Sequence, residues 1–185
     1  VQGVDVRMGA DFEVAKSGES GKTAFIAWEN SGALTVRNTS VRTEISGSGM
    51  LAGLVGNAKG GLFVVNSSVS GRLQADECSG LALSSESKFS GSEVSVNEVV
   101  WGKRAAQACL DASGTFEALG VTLAGQVHGE TLAAPCVGVA HSGSKLTLMN
   151  MQVSAEVKLD GDGEAAGLIG RAESGAKLSM YSLTL

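Results

Sequence analysis

Apolar and polar residues alternate at period two along most of this chain, and the alternation restarts about six times. One set of alternating positions is Leu34 and Val36, Leu62 and Val64, Leu146 and Leu148, and Leu178 and Met180. A second set follows it: Val41, Thr43 and Ile45; Val69, Gly71 and Leu73; Val153, Ala155 and Val157. Period-two alternation turns one face of an extended segment inward, so these runs predict short strands. A third apolar patch opens each unit, at Phe25-Ile26, Leu54-Val55, Leu81, Cys109-Leu110, Val137 and Leu168-Ile169. A Gly or Ser pair often follows that patch, as at Gly60-Gly61 and Ser142-Gly143.

Between the first and second sets, a polar residue stands three positions before an apolar one. It is Asn38, Asn66, Asn97, Gly120, Asn150 and Ser182 in turn, so the column recurs at similar intervals along the chain. These residue types tolerate a tight or left-handed turn. The column predicts a stacked turn in which Asn amides bond to the next coil's backbone.

Three strands and three turns per unit of roughly 23–32 residues, repeated about six times, predict an all-β chain: a parallel β-helix, or β-solenoid. Residues 1–185 form one such unit, with coils at 23–50, 51–77, 78–104, 105–133, 134–164 and 165–185. No coil buries its inward residues alone, so stability comes from stacking. Residues 1–22 read as a degenerate first coil, where Val4, Val6, Phe12 and Val14 alternate without a turn residue. The third coil fits worst. Glu93 and Ser95 fall where apolar residues are expected, and the shift to Val94 and Val96 predicts a bulge. A start at Val1 and a last coil without a polar cap point to a piece of a longer repeat protein. Helical periodicity is not sustained anywhere, and the density of Gly and β-branched residues opposes helices. An antiparallel sandwich is the competing architecture; one turn residue at the same place in each coil argues against it.

Composition narrows the function. Aromatics are only 4% of the chain against 43% hydrophobic residues, which suits narrow layers of Val, Leu, Ile and Ala. A net charge of −5 disfavours nucleic acid as a partner. No apolar run is long enough to span a membrane. The three cysteines, Cys78, Cys109 and Cys136, read as small buried hydrophobes, with a Cys109–Cys136 disulfide between neighbouring coils as the alternative.

Residues Ala52-Gly53-Leu54-Val55-Gly56 and Ala166-Gly167-Leu168-Ile169-Gly170 resemble the GLUG motif, in which the third letter is a bulky apolar residue. The run Asn66-Ser67-Ser68-Val69-Ser70-Gly71 resembles that family's strand continuation. The resemblance covers two coils clearly and four in blurred form. It implies a right-handed β-helix and a passive role in large surface proteins, including adhesin-like ones. It transfers no catalytic residue.

Candidate chemistry is sparse. Residues 17–23, SGESGKT, end like a phosphate-binding loop but lack its first Gly, since position 16 is Lys16. Asp160, Asp162 and Glu164 alternate with Gly and are a weak Ca²⁺ candidate; an acidic turn is the plainer reading. Asn38 and Asn66 each begin a glycosylation sequon, yet both also belong to the turn column. His128 and His141 lack metal-ligand spacing, and Asp76, Glu77, Asp111, Glu117 and Glu156 do not stack in a column. Trp28 and Trp101 would offer a sugar platform only if exposed. The sequence therefore predicts no catalytic residues, no resident metal and no cofactor. It predicts a non-catalytic structural or adhesive module at the cell surface or outside the cell. The module would be a rigid spacer with a protein or glycan partner, or with neighbouring solenoid segments at its coil ends. The alternative is a subunit of an intracellular or filamentous assembly. A carbohydrate-active enzyme ranks third.

Overall fold

In the computed structural model, residues 4–7 and 11–185 are described, with side chains from residue 21 onward. The described chain is all β, without a helix, and is a β-solenoid of about six turns. Every strand pairing is parallel, in one 14-stranded and one 6-stranded sheet.

One column of partners runs the length of the solenoid: Val4, Leu34, Leu62, Phe89, Phe116, Leu146 and Leu178. After the first corner a second column runs through Phe12, Val41, Val69, Val96, Leu123 and Val153. The 6-stranded sheet lines up Ala27, Val55, Ala82, Cys109, Val137 and Ile169. The alternating residues of the sequence are the interior of this stack in every coil but the last, where Leu178 and Met180 are exposed. Leu34, Val36, Leu62, Val64, Leu146 and Leu148 are buried, and Phe89 stacks flat on Phe116 with ring centroids 4.5 Å apart.

The degenerate first coil takes part in the stack. Strands Val4–Arg7 and Asp11–Ala24 pair with the coil that follows, Val4 on Leu34 and Phe12 on Val41. Residues 1–3 and 8–10 of that predicted coil lie outside the described residues. Residues 17–23 fall within the strand Asp11–Ala24, so no phosphate-binding loop opens a helix there.

The third coil is in register, which corrects the expected bulge. Residues 88–101 pair with 61–74 at a constant offset, through Val94 opposite Ser67 and Val96 opposite Val69. The irregularity falls later, between Gly102 and Arg104, where the next coil is one residue longer. Interior contacts among the described residues divide into a main apolar cluster, a second around Ile45, Leu73, Val100 and Val127, and a third around Leu83, Leu110 and Val139. Between the first two runs the column Thr43, Gly71, Glu98 and Gly125, which is polar or bare.

Candidate functional site

The predicted turn column is the first place to look. Asn38, Asn66, Gly120, Asn150 and Ser182 all have positive φ, between 45° and 62°. The third coil differs. Its left-handed residue is Glu93, at φ 54°, while Asn97 lies in the strand Lys88–Ala106 between Ser70 and Ala124. Spacing to Val100 aligns Asn97 with the column, but Glu93 has the same spacing to Val96. Packing of Val94 and Val96 inward decides between them, and the turn accepts a glutamate in a conformation that L side chains disfavour.

The asparagines of this column point outward. Asn38, Asn66 and Asn150 are exposed. Asn66 Nδ2 donates to Asn38 Oδ1 at 2.8 Å, so this bond joins two side chains and not an amide to backbone. Below them the Thr39 amide donates to Ser67 Oγ at 3.2 Å, and the Ser67 hydroxyl donates to the Val65 carbonyl at 2.8 Å. These short polar bonds close the corner locally.

The two tryptophans pack against residues of neighbouring coils. Trp101 lies against His128 of the following coil, with centroids 4.9 Å apart, and the Arg72 guanidinium of the preceding coil lies 5.6 Å from its ring. Trp28 lies across Gly56, whose absent Cβ would fall 2.5 Å from Trp28 Cε3, and Lys22 stands over the ring at 5.4 Å. Trp101 is thus flanked by both neighbouring coils, while Trp28, on the edge strand of its sheet, is half-buried.

One chain of titratable side chains links five successive coils on the outer surface. The Arg104 guanidinium donates to Glu77 Oε1 at 3.1 Å and to Asp111 Oδ1 at 2.7 Å. Asp111 Oδ1 also faces His141 Nε2 at 3.2 Å, and His141 Nδ1 lies 3.3 Å from Glu173 Oε1. The Ser142 amide, donating to Glu173, is the main cause that holds this carboxyl below its usual range. Both imidazole nitrogens thus face carboxylates. This chain of charges fastens successive coils together. Asp76 is used in the same way: Lys103 and the Gly49 amide bind it and depress its pKa.

Asp160, Asp162 and Glu164 do not gather. Asp160 bonds to His128, Glu164 lies 3.7 Å from Arg171, and no group of three or more His, Cys, Asp or Glu side chains among the described residues could hold a metal ion. The cysteines are all free and buried. Burial pushes the thiols of Cys78 and Cys136 up to about 12, and raises that of Cys109 as well.

One polar group lies outside every motif of the sequence. Glu98 is 1% exposed, inside the solenoid. Burial pushes its carboxyl up to about 7, against a hydrogen bond from Thr43 that lowers it. The signal for it is present: Val94, Val96, Glu98 and Val100 alternate, so Glu98 falls on the inward phase. Gln107 is its buried neighbour, donating through Nε2 to the carbonyls of Glu98 and Ala124.

Among the described residues no helix is long and apolar enough to cross a membrane. No family model, curated protein or solved structure matches the chain.

Proposed function

We propose that this chain is a non-catalytic β-solenoid module of a large surface or secreted protein, giving rigid length and a face for adhesion. The observation that carries this reading is the state of the outer surface. Its charged side chains, from Glu77 through Arg104, Asp111 and His141 to Glu173, are spent on each other across successive coils. An enzyme of this architecture needs acids or bases left free along one groove. The resemblance of residues 52–56 and 166–170 to the GLUG motif supports a surface role, and the Asn38–Asn66 bond suits an asparagine column that stiffens one corner.

A second reading, a subunit of an intracellular or filamentous assembly, is favoured by one observation: three free, buried thiols and no disulfide among them. Antibodies against the folded chain separate the two. Labelling of intact, unpermeabilised cells of the source supports the surface reading. Labelling only after permeabilisation overturns it in favour of the assembly.

A further inference from the structure

Among the described residues Glu98 is the only acid or base in the buried polar set. Its Oε1 accepts the Thr43 hydroxyl at 2.8 Å, from two coils away. Its Oε2 is buried without a partner, in a space it shares with the Gln107 carbonyl oxygen and a Val96 methyl. A Cβ placed on Gly80 would lie 2.1 Å from Glu98 Oε2 and 2.5 Å from the Gln107 carbonyl oxygen. Those two oxygens are therefore at most the sum of these distances apart, about 4.6 Å. Gln107 Oε1 is also buried without a partner, because Nε2 is turned to backbone carbonyls.

The strands packed around Glu98 bring no charge to it. Ser40–Ala52 supplies Thr43, Gly61–Gln74 supplies Gly71, and Thr122–Ala134 supplies Gly125. Glu77–Ser79 brings the Cys78 thiol, which is itself held neutral by burial. An ionised carboxylate here would face the Gln107 carbonyl oxygen in an apolar interior, with one hydroxyl as its donor.

We propose that Glu98 is a protonated acid in the folded chain, and that its proton, turned to the Gln107 carbonyl oxygen, completes a latch over four successive coils, from Thr43 through Gly71 and Glu98 to Gln107. Losing that proton to solvent leaves Oε2 repelled by its neighbours and loosens the coils that meet at Thr43, Gly71 and Gly80. Burial of the group, which raises its pKa to about 7, sets the pH at which the latch opens. The latch works the same way whichever side of a membrane the solenoid occupies.

The test is an NMR titration of the ¹³C-labelled glutamate carboxyls in the wild-type chain, paired with folding measurements on Glu98→Gln, whose amide copies the protonated acid. The Glu98 carboxyl is expected to titrate near 7, apart from the exposed glutamates. The ratio of wild-type to variant folding constants should fall by roughly two orders of magnitude between pH 5 and pH 8. Titration of Glu98 together with the exposed glutamates overturns the proposal, as does a ratio that ignores pH. If Glu98→Gln does not fold, the wild-type titration decides alone.

Discussion

Glu98 accepts a hydrogen bond from Thr43 across a full intervening coil, 55 residues away in the chain. The coil between them presents Gly71 at the same position of the stack. With no side chain there, the Glu98 carboxyl reaches past that coil to Thr43 and ties the coils on either side. The bond is buried and runs along the column that separates the main apolar cluster from the one around Ile45 and Leu73.

Thr43→Val removes the donor and keeps the shape. The sign of its pH dependence follows from Glu98. The folded pKa, about 7, lies above the ordinary 4.5. The group's contribution is therefore fully present below pH 4.5 and is lost as pH rises through about 7, amounting to about 3 kcal/mol. Without Thr43 the ionised form loses its one donor. The variant should lose about 1–3 kcal/mol at pH 8 and less at pH 5, read from urea unfolding at the two pH values.

Gly71→Ala tests the gap itself. Gly71 has φ 114°, and a Cβ there would fall 2.0 Å from the Thr43 carbonyl oxygen. Gly143 has φ 83° but nothing within 4 Å of its Cβ position. Both substitutions cost backbone strain, of order 1 kcal/mol. Only Gly71→Ala adds a clash with backbone, so it should be less stable than Gly143→Ala by at least about 2 kcal/mol in urea unfolding.

Glu93 holds a left-handed conformation that the other coils assign to Asn, Gly or Ser. Glu93→Asn should raise stability by about 0.5–1 kcal/mol, seen as a higher urea midpoint. Asn97→Thr, in an exposed strand position, should change it little.

The cysteines should be silent in the folded chain. All three are free and buried, and burial holds the Cys78 and Cys136 thiols at about 12. A thiol reagent at pH 8 should label none of them in native conditions and all three in denaturant.

The coil plan is legible in the sequence because one physical rule repeats. Inward residues alternate, and each coil restarts the phase. The proposed coil starts Leu51, Cys78 and Ala105 fall in one register column, and Ala165 lies in the same column through Ala133. The third turn is misplaced by sequence because Asn97 carries the preferred residue type, while the packing of Val94 and Val96 puts Glu93 there. Glu98 escapes a sequence reading because a charge on an inward phase conflicts with the hydrophobic rule that locates the strands. The stack of Trp101 on His128 and the chain from Arg104 to Glu173 need the register and the corner geometry, which bring together residues a coil apart.

Register in the third coil is the claim on which the interior, the latch and the surface stacks all depend, and oxidative cross-linking reads it directly. The structure pairs Ser68 with Ser95. Alignment of Asn66 with Asn97 would instead pair Ser68 with Val99, a displacement of about 13 Å along the strand. Ser68→Cys combined with Ser95→Cys should form a disulfide in the folded chain, and Ser68→Cys combined with Val99→Cys should not. Closure of the second pair and failure of the first would contradict the register, and with it the placement of Glu98 against Thr43.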